Sequence, residues 1–416
     1  MEFFMAFILI ALLLFIVTDI YFYKVMMHYI VSDNFKLLFR ILFFIIASIP
    51  YITLAVLYFK GYREWSGWTK NLLMGISEAY FLTKIFMLVF FLITDIIFLF
   101  QKLFSKPNTN NLNGNGITRL QFFYKASLVV GTTVFASTIY GILRGAYHLN
   151  ITRNTIRLKQ IPSNSKGIKL AHISDMHLGS FANTNFIQKL VDTINKEQVD
   201  FLLFTGDLVN VIAKEAFPYK EIFKNIKTKY GVYSIYGNHD YGNYKEWDNE
   251  ADLLQNNKDF LSFQQSLGWR VLQNEHEVLN INNLNIGLIG VHYIGSRAYN
   301  KSLGDLHLAT NNMPATDVKL LLSHDPSHWD MEVNSKAQYQ DIDITFSGHT
   351  HGFQFGVEIP SMNIKWSPFQ ALYKQWAGWY QKGEQYLNVN RGIGFIGYPG
   401  RIGMPPELSI IEIKGK

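Results

Sequence analysis

The chain has 416 residues, enough for two or three domains, and 49% of them are hydrophobic, with 33 Phe and 23 Tyr. That richness leads us to expect a membrane-embedded part, and the net charge of +6 suits an anionic surface or anionic substrates. The absence of cysteine excludes disulfides, thiolate zinc sites and cysteine nucleophiles, so any metal site must use oxygen and imidazole ligands.

Four apolar stretches occupy the first third, at 3–23, 41–59, 72–100 and 126–147. Each meets the roughly 20 residues a helix needs to cross about 30 Å of hydrocarbon. The first lacks a basic start and a small-residue cleavage site, so it reads as a span and not as a cleavable signal. The third carries Glu78, Lys84 and Asp95, which read as anchors near the membrane interfaces. The connections are short except for the Asn/Gly-rich stretch "SKPNTNNLNGNG" at 105–116, which reads as a flexible linker. Basic residues flank the spans evenly on both sides. Glu2 before the first span and Lys24 after it tip the expectation toward an outward N-terminus, and with four spans the C-terminal domain shares that side.

The texture changes after residue 150, giving a membrane region over 1–150 and a second domain over 151–416. Apolar runs at 168–174, 200–205, 232–236, 285–291, 318–324 and 342–347 read as strands buried on both faces, and "YLNVN" and "ELSIIEI" add more near the end. Helical spacing appears at 184–197, 214–228 and 247–267. Strands alternating with helices predict a layered α/β domain.

In such domains ligands gather beyond the carboxyl ends of the strands. "HISDMHLG" places Asp175 and His177 there, "FTGDLV" places Asp207, and "YGNHDYG" places Asn238, His239 and Asp240. "LLSHDP" adds His324, and "SGHTHG" adds His349 and His351. Any one of these has an ordinary explanation as a helix cap or turn former. Five in succession, all of oxygen or imidazole type, suit first-row divalent metals. Without His239 and Asp240, seven ligands are too many for one octahedral ion with room for substrate, and they fit two ions sharing a bridge.

These five stretches resemble the calcineurin-like metallophosphoesterase superfamily, whose pattern runs D-x-H, G-D, G-N-H-D/E, H and G-H-x-H. The match is complete in order and residue type from Asp175 to His351. The four preceding spans and the segment 389–410 resemble more closely its membrane-anchored branch, the transmembrane proteins with a metallophosphoesterase domain and relatives of the YkuE type. The resemblance implies a four-layer α/β/β/α domain behind a bundle of four transmembrane helices. It implies one divalent metal ion on Asp175, His177, Asp207 and His351, and a second on Asp207, Asn238, His324 and His349, with Asp207 bridging. Mn²⁺ is the first expectation, with Zn²⁺, Fe and Mg²⁺ as alternatives. Two such ions polarise a phosphoryl oxygen and acidify a shared water, which attacks phosphorus. His239 is expected to protonate the leaving group, with Asp240 orienting its ring.

The implied activity is hydrolysis of phosphoester or pyrophosphate bonds at a membrane. No nucleic acid partner is expected. An amphiphilic substrate such as UDP-2,3-diacylglucosamine is the specific expectation, and a soluble nucleotide is an alternative. "TRLQFFYKASLVVG" resembles a worn twin-arginine export signal with only Arg119, which again points to an extracytoplasmic domain at the plasma or inner membrane. Two rivals stand beside the hydrolase: a catalytically silent metal-dependent scaffold, and a transporter regulated by the domain. The retained His239–Asp240 pair argues against the first, and the few polar residues in the spans against the second. His172 and His292 read as packed residues, Arg297, Arg391 and Arg401 as structural or surface arginines in preference to phosphate clamps, and the aromatic stretch 366–380 as packing beneath the site. Phe353 departs from the family, which often has glycine at that position, and is expected to affect pocket shape.

Overall fold

The computed structural model describes residues 2–29, 32–60, 68–104, 119–295, 302–359, 362 and 364–416, and the linker 105–116 and Arg297 lie outside them. Two compact units are present, Met1–Trp65 with Leu72–Tyr140, and Ser66–Asn71 with Gly141–Lys416.

The first unit holds helices α1 (Glu2–Tyr29), α2 (Asp33–Lys60), α3 (Trp68–Phe104) and α4 (Arg119–Leu143). Among the described residues three segments are long and apolar enough to cross a membrane: Asp33–Phe59, Thr69–Phe100 and Phe122–Tyr147. The remaining expected span, 3–23, falls in α1, and the side chains of residues 3–12 are outside the described part. Lys84 corrects the expectation of an interfacial anchor. It is buried, its Nζ 2.7 Å from Asp19 Oδ1 and 3.3 Å from the centre of the Phe15 ring. The same carboxylate accepts the hydroxyls of Tyr51 and Tyr80, each at 2.6 Å. Charges in a membrane bundle persist when paired in this way.

The second unit runs β1 (Asn150–Leu158), β2 (Ile168–Ile173), α5 (Asn185–Glu197), β3 (Phe201–Phe204), α6 (Lys220–Phe223), β4 (Val232–Ser234), α7 (Glu250–Ser266), β5 (Arg270–Val271), β6 (Glu275–Ile281) and β7 (Leu284–Gly290). It continues with α8 (Leu306–Thr310), β8 (Val318–Leu322), β9 (Ile344–Ser347), β10 (Val357–Ile359), β11 (Ile364–Trp366), β12 (Gly378–Lys382), β13 (Gln385–Val389) and β14 (Glu407–Gly415). One mixed sheet has the order β1-β14-β2-β3-β4-β5, a second the order β12-β13-β9-β8-β7-β6, and β10 with β11 forms a separate ribbon.

The central strands β2, β3, β4, β7, β8 and β9 are short apolar runs because both of their faces are covered. Leu170, Phe201 and Leu203 from the first sheet meet Leu288, Leu320 and Phe346 from the second in one core between the sheets. Full burial of each such side chain stabilises the fold by about 1.5–3 kcal/mol. The outer face of the first sheet is covered by α5, whose buried Phe186, Ile187, Leu190, Val191 and Ile194 fall on one helical stripe. The helix expected over 214–228 does not form as one element. A 3-10 turn at Ala213–Tyr219 with Pro218 inside it leads into the four-residue α6, since proline removes a backbone donor and blocks a continuous helix.

Candidate metal centre

Each apolar strand delivers its polar residues just past its carboxyl end. Asp175 and His177 follow β2, Asp207 follows β3, Asn238 to Asp240 follow β4, His324 follows β8, and His349 and His351 follow β9. The sequence-predicted residues are therefore brought together from both sheets. The backbone turns sharply to present them: Asp175, His177, Asp207, His349 and His351 have φ of 49°, 44°, 58°, 70° and 53°. Left-handed conformations in such residues cost about 1–3 kcal/mol each and collect at functional sites. Gly206 precedes Asp207 at φ +95°, and a Cβ there would lie 2.3 Å from the Gly237 nitrogen, so only glycine lets the two loops cross.

Two groups of donors form. In one, Asp175, His177 and His351 converge, with His351 Nε2 3.2 Å from Asp175 Oδ1 and 3.1 Å from His177 Nε2. In the other, Asp207, His324 and His349 converge, with His324 Nε2 3.1 Å from Asp207 Oδ2 and 3.2 Å from His349 Nδ1. Asp207 Oδ2 also lies 3.6 Å from His177 Nε2, so this one carboxylate touches both groups. Asn238 sits beside them, its Nδ2 donating to the Tyr244 hydroxyl at 2.8 Å. Its Oδ1 is buried with no hydrogen-bond partner among the described residues. A buried amide oxygen left bare costs about 1–3 kcal/mol, which a cation would offset. The donor set therefore fits divalent metal ions.

Burial and charge oppose each other here. Burial alone would raise the Asp207 carboxyl, but the imidazoles of His324 and His239 outweigh it and hold the group well below the usual carboxylate range. Asp175 is held down against its burial by His351 and His324 in the same way. Burial pushes His177 well below the usual imidazole range, helped by His351 and His239. The carboxylates stay anionic and His177 stays neutral, the forms in which they bind metals.

The surroundings hold these rings in place. His324 Nδ1 lies 2.7 Å from the Thr205 carbonyl, and His349 Nε2 lies 3.0 Å from the Tyr373 hydroxyl and 3.6 Å from Asp325 Oδ2. His239 is half-buried, stacked on Tyr244 at 4.2 Å between centres, with its Nδ1 2.7 Å from the Asn210 carbonyl. This corrects the role expected of Asp240, which does not orient that ring. Both Asp240 oxygens are taken by backbone donors, Oδ2 by Gly237 and Asp207 at 2.8 and 2.7 Å, and Oδ1 by Leu208 and Val209 at 2.9 and 3.3 Å.

His172 is a buried residue between Asn388 and Thr205, and His292 is held by the Tyr241 hydroxyl at 2.9 Å. Arg391 pairs with Glu358 at 2.6 Å, and the guanidinium of Arg401 binds the carbonyls of Gly394, Met404 and Arg391, with its Nη2 also 3.4 Å from His351 Nδ1, so both are structural. Tyr373 lies within the aromatic stretch assigned to packing. It is buried as expected and also reaches a site imidazole, a contact that only its position beside "SGHTHG" in space discloses, whereas Trp366 and Leu372 of the same stretch are exposed and correct the expectation that the whole stretch is packing.

Two facing mixed sheets with carboxylates and imidazoles pooled at their strand ends define a metallophosphoesterase domain. Residues 168–353 match the calcineurin-like phosphoesterase family, and residues 5–146 match a probable calcineurin-like phosphoesterase transmembrane domain. The chain thus carries a calcineurin-like phosphoesterase domain behind a transmembrane domain, and is a metal-dependent phosphohydrolase of the membrane. It is 28% identical across 99% of its length to the uncharacterized metallophosphoesterase Cj0846 of Campylobacter jejuni, of which it covers 99%. It is 26% identical over 64% of its length to the uncharacterized metallophosphoesterase YkuE of Bacillus subtilis, covering 86% of that protein. A transmembrane protein with metallophosphoesterase domain from Danio rerio is also 26% identical over 66% of this chain and 60% of its own length.

Proposed function

We propose that the domain over 151–416 hydrolyses phosphoester or pyrophosphate bonds with two divalent ions, Mn²⁺ first among them. One ion is held by Asp175, His177, Asp207 and His351, the other by Asp207, Asn238, His324 and His349. The observation that carries this reading is the position of Asp207, whose Oδ2 lies 3.6 Å from His177 Nε2 and 3.1 Å from His324 Nε2. When bound, such ions withdraw charge from a phosphoryl oxygen and lower the pKa of water.

The side chains supply the rest. Asn210 accepts the Nδ1–H of His239, which leaves Nε2 to carry a proton to the leaving oxygen. Stacking on Tyr244 keeps the ring on that axis. The Asp207 Oδ1 accepts the His239 backbone N–H at 2.8 Å, so the proton donor and the shared carboxylate move as one piece.

The helices of residues 1–150, four spans in this reading, hold the domain at the bilayer, on the extracytoplasmic side. The transmembrane domain supports a substrate that is itself amphiphilic, a lipid-linked phosphoester or pyrophosphate such as UDP-2,3-diacylglucosamine. The purified full chain with Mn²⁺, assayed on bis-p-nitrophenyl phosphate and on that lipid-linked sugar nucleotide beside Asp207→Ala, tests the proposal. Turnover abolished by the substitution supports it. Metal binding without turnover of either compound by the wild type overturns it in favour of a silent metal-binding module.

A further inference from the structure

The ribbon β10–β11 leaves its apolar side chains exposed. Its register pairs Val357 with Trp366, Glu358 with Lys365 and Ile359 with Ile364. Side chains alternate between the two faces of a strand, so Val357, Ile359, Ile364 and Trp366 share one face and Glu358 and Lys365 the other. On a domain surrounded by water the apolar face of such a ribbon turns inward. Here the apolar side chains are exposed, as is Lys365, while Glu358 on the other face is half-buried. Glu358 pairs with Arg391 at 2.6 Å, and Lys365 donates to the Ala377 carbonyl and lies 4.9 Å from the centre of the Trp376 ring.

The four apolar side chains are left 37–44% exposed, and Met362 beyond them is 65% exposed. Phe353 and Phe355 extend the surface at the base of the ribbon. Elsewhere in the described part of residues 150–416 the exposed large apolar side chains are Phe217, Leu254, Leu303, Leu308, Met331 and Leu372. A continuous apolar patch marks a contact surface.

The occupant follows from the rest of the chain. Helix α4 ends at Leu143, and near that end the Gly141 carbonyl accepts the Arg401 backbone N–H at 3.1 Å, next to Ile402, which bridges to Phe355 at the base of the ribbon. Both charges of the ribbon lie on the other face and are engaged by Arg391 and the Ala377 carbonyl, so the apolar face offers no ion pair with which to select a polar partner. Trp366 on that face is of the type that settles at the membrane–water interface. We infer that the β10–β11 ribbon lies in the interfacial zone of the bilayer in which the chain is anchored.

A stack of rings joins this surface to the metal centre. Phe353 packs on Phe369 at 5.3 Å and Phe369 on Tyr373 at 5.1 Å, and the Tyr373 hydroxyl lies 3.0 Å from His349 Nε2. With the ribbon in the interface, this side of the site opens on the headgroup layer, where the phosphoester of an amphiphile resides. That last consequence rests on the hydrolase reading, whereas the bilayer contact does not.

The chain has no cysteine, so a single introduced thiol takes a nitroxide label without background. Met362→Cys and Ile364→Cys, each labelled in the full chain in phosphatidylcholine–phosphatidylglycerol vesicles, are compared with Leu254→Cys on α7. Collisions with dissolved oxygen exceeding those with a water-soluble nickel chelate at 362 and 364, with the reverse at 254, are expected. Equal aqueous exposure at all three positions would overturn the inference. So would dipolar broadening at 362 or 364 that vanishes on dilution with unlabelled chain, because it would put a second copy on the ribbon. Neither readout uses turnover, so failure here is distinct from failure of the hydrolase reading.

Discussion

Asp240 Oδ2 accepts the backbone N–H of Asp207 at 2.7 Å, and that bond ties the residue after β4 to the shared carboxylate after β3. With its two oxygens serving four backbone donors, the Asp240 side chain ties the 3-10 turn Asn238–Tyr241 to the segment after β3. Asp240→Asn keeps the shape but turns one acceptor into a donor, leaving two buried N–H groups facing an NH₂. Each costs about 1–3 kcal/mol. The expected result is a fall of several degrees in thermal midpoint together with a metal affinity about 10–100-fold weaker. Differential scanning fluorimetry and a metal titration check it. A variant with unchanged stability and metal affinity but an altered pH–rate profile would return Asp240 to the role of orienting His239.

The ring of His239 is steered by a backbone carbonyl, which no substitution at position 210 removes, so the proton donor is best tested through the leaving group. His239→Ala should lower the rate on an alkyl phosphodiester by about 10²–10⁴-fold. On a p-nitrophenyl ester the loss should be small, because that phenolate departs without a proton. Paired rate measurements on the two esters decide the point, and equal losses on both would mean that His239 acts through metal binding instead.

Asn238 is set apart by its buried Oδ1, which has no hydrogen-bond partner among the described residues. Removing its buried Oδ1 with Asn238→Leu should leave the Asp175–His177–His351 group able to bind and disable the other. Elemental analysis after gel filtration is expected to fall from two ions per chain to one, while Asn238→Asp retains both. Two ions in the Leu variant would show that the amide is not a ligand.

Away from the metal centre, Glu332 sets an acid limit on stability. A bond from His328, whose Nε2 is 3.0 Å away, opposed by partial burial and aided by Lys336 at 2.7 Å, lowers its carboxyl to about 2 from an ordinary 4.5. A depressed carboxyl contributes stability that is complete above its unfolded value and is lost as pH falls through its folded value. The side chain is 20% exposed, so screening reduces the contribution to about 1 kcal/mol. Glu332→Gln should therefore be less stable by about that amount near pH 7, with the gap closing between pH 4.5 and 2. Thermal midpoints of both proteins across that range measure it.

The candidate site was legible in the sequence because each candidate ligand lies immediately beyond an apolar run, where strand geometry alone decides its direction. The partner of His239 was not, since a backbone carbonyl such as that of Asn210 carries no side-chain signal. Strand β1 reads only as the weak alternation of "NITRNTIRL" and gains its place by pairing with β14, Asn150 opposite Glu407, far along the chain. The ribbon β10–β11 has ordinary alternating strand chemistry, and that its charges are taken up by Arg391 and the Ala377 carbonyl is settled only in the fold. Lys84 was misplaced for a similar reason. Its partner Asp19 belongs to another helix, and helix pairing is invisible in a hydropathy profile.

That buried pair yields the last prediction. Lys84 Nζ and Asp19 Oδ1 are 2.7 Å apart with side chains only 3% and 10% exposed, and Tyr51 and Tyr80 complete the carboxylate's shell. Lys84→Met leaves the charge of Asp19 buried without its cation, at a cost of about 3–5 kcal/mol. Adding Asp19→Asn removes the orphaned charge while keeping an acceptor for the tyrosine hydroxyls. The double variant should recover most of the loss, since the coupling between the two sites exceeds what either contributes alone. Unfolding of the detergent-solubilised chain by sodium dodecyl sulfate, followed by circular dichroism, gives the four corners of the cycle. Additive losses would mean that the two groups act independently, and that the pair does not hold the helices together.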